Sequence, residues 1–367
     1  MQFRHIAGHA ARAATLAGWT LPVLLALFSP AWGADDCVGH ARLWGAPGSA
    51  INLRVDNDLF GGSAQDQGYS NGLQLSLVTP DLTDYRRDPC LPGGMRRFNG
   101  ALGWLQPDGD GQRNMVFSLA HAIFTPNDPL PATLIEDDRP YAAILAAGVS
   151  YNLRRGDELR TNYARLGVVG PAALGRQVQD SAHHWLGSKR FYGWRNQLRN
   201  EPVLQFGHER LQRRMLLAPQ EDGSGLASDL IVHWGAAVGN LSTHANTGLE
   251  WRLGWRLPDD FGSAPLRPAG ESAAPGAGRT HSAGTVDGHF FVVASGRWVL
   301  RDITLDGNTF RSSHHVDRRP WVADIGYGFV VNRGHWKFAF ARYQRSREFS
   351  GQRERPVYGS FSISRRF

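Results

Sequence analysis

The sequence predicts an all-β fold, a twelve-stranded antiparallel transmembrane β-barrel with short helical segments in its outer loops. Three observations lead there. Past residue 33 no apolar run reaches the roughly 18 residues that a spanning helix needs. Aromatic residues make up 11% of the chain and glycines number 43. The chain is also broken into short segments in which apolar and polar residues alternate with period 2, as strands with one face in lipid do.

Taken in order, residues 1–33 read as an export signal. Arg4 and Arg12 precede an apolar stretch from Ala14 to Phe28, and Ala31-Trp32-Gly33 offers small residues where a signal peptidase reads. That stretch is too short for a spanning anchor, and Pro22 interrupts it. Residues 34–367 then form a single barrel domain, with strands near 49–60, 69–80, 112–124, 141–153, 157–169, 201–215, 226–240, 243–257, 287–305, 319–332, 335–349 and 356–367. Leu73, Leu75 and Leu77 alternate with Gly72, Gln74 and Ser76, and Phe338 and Phe340 repeat the pattern after Trp336. The last strand alternates Val357, Gly359, Phe361 and Ile363 with Tyr358, Ser360, Ser362 and Ser364. It ends on Phe367, which resembles the signal that marks bacterial outer-membrane proteins for assembly. A soluble β-sandwich gives no reason for such an ending.

With both termini periplasmic, the connections 61–68, 125–140, 170–200, 241–242, 306–318 and 350–355 face outward. Arg154-Arg155-Gly156 and Arg333-Gly334 are the short turns expected on the periplasmic side. Three inward connections, 81–111, 216–225 and 258–286, are longer than that rule favours. The last, rich in Gly, Pro, Ser and Ala, reads as a flexible loop. Cys37 and Cys90 both fall on the periplasmic side, where an oxidising compartment lets them close one disulfide. The formal charge of +7 drops to +5 when Arg4 and Arg12 leave with the signal. No Lys/Arg run resembles a nucleic-acid arm, so no nucleic-acid partner is expected. The basic excess suits a solvated surface or, more sharply, the phosphates of an anionic envelope lipid.

The polar motifs gather at the outward ends of the strands. Asn57 and Asp58 close the first strand, while Ser70 and Asn71 open the second. Phe124-Thr125-Pro126-Asn127-Asp128 ends the third, and Asp137-Asp138-Arg139-Pro140-Tyr141 leads into the fourth. Gln179 and His183 lie in the long third outer connection. Singly, each has a plain structural reading: Asn-Asp as a turn, Asp-Arg-Pro as an ion pair before a bend, His184 as a solvated loop residue. Together they suit ester hydrolysis. His183 has the proton affinity of a general base near neutral pH. Asp58, a hard oxygen donor, could hold Ca²⁺ with backbone carbonyls and water, and the ion would polarise an ester carbonyl. Gln179, one turn before His183 if the segment is helical, could orient substrate or water. There is no G-x-S-x-G, H-E-x-x-H, Walker A or CxxC motif, which removes the common soluble hydrolase, zinc-protease and nucleotide-binding readings.

These residues resemble the lipid A 3'-O-deacylase family of the bacterial outer membrane over nearly the whole chain after the signal. The resemblance rests on Asn57-Asp58, Tyr69-Ser70-Asn71-Gly72, Asp138-Arg139-Pro140-Tyr141 and Gly167-Val168-Val169-Gly170-Pro171. It continues through Gly175, Gln179, His183, Gly187, Gly193-Trp194, Asn196-Gln197-Leu198 and Leu305-Asp306-Gly307-Asn308-Thr309-Phe310. It implies a twelve-stranded outer-membrane barrel, with its active site facing the outer leaflet, that hydrolyses the ester of the 3'-acyloxyacyl chain of lipid A with Ca²⁺; a monomer is expected, although the sequence itself leaves the oligomeric state open. His183 would be the base, Asn57 and Asp58 the cation-associated part, and Ser70 and Gln179 the rest of the polar pocket. Two positions depart from the pattern. Lys189 stands where some relatives are acidic, so a carboxylate there is missing or supplied elsewhere, as by Asp180. Ala143 stands where Gly is common, a change expected to matter little. The competing functions are an outer-membrane phospholipase with Ser70 as nucleophile and a porin-like barrel without catalysis.

Overall fold

A computed structural model describes residues 45–61, 68–186, 190–220, 225–263 and 286–367. The export signal, Cys37 and Lys189 lie outside the described residues. Twelve strands follow one another: β1 (Ala50–Asn57), β2 (Gly68–Val78), β3 (Gln112–Thr125), β4 (Ala142–Arg155), β5 (Glu158–Val169), β6 (Glu201–Leu217), β7 (Leu226–Gly239), β8 (Ser242–Trp255), β9 (Val286–Asp302), β10 (Trp321–Arg333), β11 (Trp336–Arg345) and β12 (Val357–Arg366). Each pairs antiparallel with its sequence neighbours, and β1 pairs with β12 to close the barrel. Closure satisfies every strand's backbone groups within the sheet, which is the condition for a β-structure to sit in lipid.

Alternation along the strands sorts the side chains into two environments. On β10, Trp321 (69% exposed), Ile325 (64%), Tyr327 and Phe329 point outward, while Val322, Asp324 and Val330 are buried inside. Leu73 and Leu75 face outward on β2 as the sequence pattern predicts, and Tyr358 and Ser360 face inward on β12. Exposed Trp255, Trp321 and Trp336 lie at strand ends, and Trp321 stacks on Trp298 at 6.2 Å, in the manner of a barrel's aromatic girdles.

The lumen is filled with charge pairs. Near the periplasmic end, fully buried Arg252 donates to both oxygens of Asp229 (2.8 and 2.6 Å) and to Asp260, while Arg213 reaches Asp229 at 2.9 Å. Near the outer end, Asp56 accepts from Tyr69 (2.7 Å), Ser360 (2.6 Å) and Arg54 (3.2 Å). Arg345 bridges Asp324 and Glu348 at 2.7 and 3.2 Å.

Four sequence expectations change. Residues 58–60 leave the first strand for a 3₁₀ turn, Asp58–Gly61. Ile303–Asp306 is a helical turn because the Asp302 carboxylate caps it, accepting from the Thr304 amide at 2.9 Å. Residues 346–349 leave the sheet as Glu348 turns inward to Arg139 and Arg345. The stretch read as flexible begins with an ordered plug, because Asp259 pairs with Arg154 at 2.7 Å and Phe261 packs among Leu159, Leu211 and Ile231. The rest of it, 264–285, lies outside the described residues.

The long β2–β3 connection also has a structural reason. Helix α1 (Gly93–Ala101) and the 3₁₀ turn Gly103–Leu105 press Leu82, Leu91, Met95 and Leu105 onto Met115, Val149 and Tyr151. Those three share the parity of Leu119 and Leu145, so the pad lies on the outside of the wall. Cys90, in this connection, is disulfide-bonded.

Arg252→Met should leave Asp229 and Asp260 less well paired and lower unfolding stability by about 3 kcal/mol. That is the low end for a broken buried pair, because Arg213 still reaches Asp229 and Lys337 lies 3.6 Å from Asp260. Denaturant unfolding in detergent checks this, and an unchanged midpoint would show that the network is slack.

Candidate active site on the outer wall of the barrel

The site begins where β1 ends. Ile51, Leu53, Val55 and Asn57 share the outward parity of the first strand, while Asp56 points into the lumen. From Asp58 the chain turns outward over β12. A Cβ at Gly359 would lie 2.4 Å from that of Phe60, so only glycine lets the turn settle there. Arg342 fixes its end, donating to the Gly61 carbonyl at 2.8 Å. Asp58 is thereby buried at the first position of the turn.

Beside it, β2 carries a bulge. Tyr69 opposes Phe124 and Asn71 opposes Ile123, leaving Ser70 opposite no residue. An inserted residue re-aims its neighbours. Here Tyr69 goes inward to Asp56, while the Ser70 hydroxyl shares a 2.5 Å hydrogen bond with Thr125, which follows the outward parity of Ile123. The Asn57 side-chain amide donates to the Ser70 carbonyl at 3.2 Å and clamps the bulge.

The other half of the site is helix α2 (Gly175–Leu186), as the Gln179/His183 spacing requires. It lies against the outer face of β3 and β4. His121 bonds the Ala173 carbonyl at 2.7 Å just ahead of it. A Cβ at Gly175 would sit 2.3 Å from the Ala143 methyl and 2.7 Å from the Trp194 ring. Gly175, Gln179 and His183 recur every fourth residue, so all three face the barrel. Gln179 is 2% exposed and His183 7%, whereas Arg176, Val178 and His184 are exposed. Trp194 donates its indole N–H to the Gln179 Oε1 at 2.8 Å. The Gln179 Nε2 is buried with no hydrogen-bond partner among the described residues. His183 meets Phe191 edge-on, centroids 5.6 Å apart, and Phe191 packs with Ile123, Tyr141, Ala143 and Trp194.

Ile123 is thus the hinge between the halves. It neighbours Asn71 across the sheet, Asn71 neighbours Asn57, and its side chain supports the cluster under His183. Asn57 and Ser70 are joined directly, and Gln179 and His183 share one helix face. Both halves lie on the membrane-facing side of the wall. Sequence reasoning missed the roles of Thr125, His121, Phe191 and Trp194, since each depends on strand register or a loop crossing.

Two quoted motifs have structural duties instead. Asp138 accepts backbone amides from Asn127 and Arg139 at 2.8 and 2.7 Å. The carboxylate partner of Arg139 is Glu348, at 3.1 Å across the mouth, and Arg139 also donates to Thr304 at 2.8 Å. Burial works to raise the Glu348 carboxyl, but Arg345 and Arg139 outweigh it and hold the group below its ordinary range. Asn308 clasps Arg199 through its amide and carbonyl, and Glu201 takes the Thr309 amide at 2.9 Å. Asp180, the candidate substitute for an acid at 189, is engaged by Arg176 at 3.5 Å.

Among the described residues no three His, Cys, Asp or Glu side chains gather into a metal-binding array. The oxygen groups on this half of the site are the Asp58 carboxylate, the Asn57 side-chain carbonyl and the Ser70 and Thr125 hydroxyls. That chemistry fits a hard cation such as Ca²⁺, with a single carboxylate among the ligands.

A filled barrel bearing a polar site on its lipid-facing wall defines an outer-membrane protein of a kind distinct from a water-filled pore. The model of the outer membrane protein LpxR family matches residues 21–367, and the chain belongs to that family. Among solved structures, LpxR from Salmonella typhimurium is similar with a TM-score of 0.68 at 18% identity, covering 87% of this chain and 100% of that one. The β-domain of the Bordetella autotransporter BrkA follows at 0.37 and 10% identity, covering 87% and 99%. The KdgM porin gives 0.34 and 6% over the same shares. No curated protein matches the chain.

Gly175→Ala should lift α2 from the wall at a cost of about 1–3 kcal/mol, the usual range for overpacking. Hydrogen exchange across the helix should accelerate while the strands stay protected. Adding Ala143→Gly should recover part of the loss. Unchanged protection in Gly175→Ala would mean that the helix does not seat on Ala143.

Proposed function

We propose that the protein is a lipid A 3'-O-deacylase, an outer-membrane enzyme that hydrolyses the ester of the 3'-acyloxyacyl chain. Family membership supports lipid A modification by an outer-membrane enzyme. The observation that carries the finer reading is the placement of the polar residues on the outside of the wall. A substrate whose acyl chains stay in the outer leaflet reaches that surface without leaving lipid.

In this reading His183 accepts a proton from water as its oxygen bonds to the ester carbonyl carbon. The proton then goes to the departing sugar oxygen as the C–O bond breaks, releasing a carboxylic acid and a free 3'-hydroxyl. The Gln179 Nε2 donates to the developing oxyanion. Its direction is settled by Trp194: an indole N–H only donates, so the amide oxygen must face Trp194 and the NH₂ must face away. Asn57, Ser70 and Thr125 hold the floor of the site. Asp58 with neighbouring oxygen donors would hold Ca²⁺, which when bound polarises the ester carbonyl. The protein would act as a monomer. A Ser70 nucleophile is less well supported, because the hydrogen-bond partner of its hydroxyl is Thr125 rather than a histidine.

Mass spectrometry of lipid A from outer membranes with and without the protein tests this. Loss of the 3'-acyloxyacyl mass is expected, as is its disappearance on chelation of Ca²⁺ and restoration on readdition. His183→Ala should lower the rate by about 10²–10⁴-fold with the barrel intact. Activity within a few-fold of the parent would remove His183 as the base, and covalent labelling of Ser70 by serine-directed reagents would favour the phospholipase.

Trp194→Phe keeps the ring but frees the Gln179 amide to turn. It should lower kcat by about tenfold while leaving KM nearly unchanged. A rise in KM alone would mean that Trp194 shapes binding and does not aim the donor.

A further inference from the structure

The outward face of β5 and β6 changes character partway down the wall. Near the outer rim Val168, Leu166 and Ala164 stand opposite Pro202, Leu204 and Phe206. Below them Asn162 faces His208, and Arg160 faces Arg210. On the other side of the barrel, outward apolar residues continue along β10 from Trp321 to Val331. At a strand rise near 3.3 Å per residue, the apolar band is about 13 Å long on β5 and about 33 Å on β10. Polar groups therefore enter the membrane-facing wall at β5–β6 well before they do on β10.

Arg160 and Arg210 are directly opposed, an arrangement in which like charges repel. Their partners among the described residues engage only the Nε atoms: Glu158 accepts from Arg160 at 2.8 Å and His208 from Arg210 at 3.4 Å. The four Nη atoms make no hydrogen bond among the described residues. On the periplasmic side Asp108, Asp110 and Glu158 line a small cleft together with Arg155 and Arg160, so the acidic groups there are faced by arginines. Two outward pairs above, Trp104 meets Phe206 edge-on at 5.3 Å, making an aromatic ledge of the kind found at membrane interfaces.

We infer that Arg160 and Arg210, beneath the Trp104–Phe206 ledge, form a binding seat for the phosphate of an anionic phospholipid of the inner leaflet. The phosphate lies between the two guanidinium forks, relieving their repulsion, and one acyl chain runs up past Phe206 and Leu204. Bidentate geometry suits arginine and phosphate. The short apolar band draws headgroups up to this level. The seat is separate from the site around His183 and does not depend on the reaction performed there.

The test uses the purified full chain in vesicles of equal phosphatidylglycerol and phosphatidylcholine, extracted gently and analysed by native mass spectrometry. The parent should retain phosphatidylglycerol over phosphatidylcholine by about fivefold or more. Arg160→Gln and Arg210→Gln should each bring the ratio near parity, while Arg333→Gln, at the end of β10, should not. Equal retention by the parent, or an equal loss in Arg333→Gln, overturns the seat. Displacement of the lipid by excess inorganic phosphate overturns the lipid as occupant in favour of free phosphate. If a glutamine variant does not insert, brominated lipids decide. The fluorescence lost on replacing Trp104 with Phe should be quenched more by brominated phosphatidylglycerol than by brominated phosphatidylcholine, and equal quenching overturns the proposal.

Discussion

A sheet in lipid has no water to satisfy its edges, so the pairing of β1 with β12 is the constraint from which the rest follows. Ala50 meets Arg366 and Asn57 meets Gly359, and with that seam closed the inside or outside position of every side chain is set. A slip of one residue would turn Asp56 toward lipid and Val55 into the lumen. The lumen could not absorb such a slip, because its polar groups are matched across strands, Asp56 with Tyr69 and Ser360 and Asp229 with Arg252 and Arg213. Buried ion pairs give modest net stability, but they penalise the wrong register heavily.

The same parity explains how a barrel can present chemistry to a membrane. Asn57, Asn71, Ile123 and Ala143 lie on neighbouring strands at the outer end, all pointing away from the lumen. Left bare, they would be an ordinary stretch of wall. The bulge at Ser70 and the approach of α2 at Gly175 convert that stretch into a sheltered polar surface. Closing the mouth is a separate task, done by Arg139 and Glu348 inside. The barrel thus keeps its lumen shut while its exterior carries the site.

Alternation and short turns made all twelve strands readable, because period-2 burial leaves a direct imprint on residue order. Residues 303–305 were misread as strand because their sequence carries no sign of the cap from Asp302. The start of the 258–286 connection was misread because Gly, Pro and Ser composition conceals the few residues, Asp259, Asp260 and Phe261, that find partners in the lumen. At the site, Gln179 and His183 were legible as a helical pair, and Asn57, Asp58 and Ser70 as a rim cluster. That the cluster faces lipid was not legible, since it depends on the bulge. Nor was the part of Ala143, whose methyl becomes critical only when Gly175 lands on it. Trp194 was visible as a motif, but its hydrogen bond to Gln179 belongs to a loop crossing that no local spacing encodes.

The central claim is that substrate meets the outside of the wall and not the lumen. A photoreactive side chain at Asn71, between Asn57 and Ile123, tests it against the same group at Tyr343, which packs inside with Tyr358. Irradiation of intact outer membranes should yield lipopolysaccharide adducts from position 71 and none from position 343. Adducts from 343 with none from 71 would contradict the account.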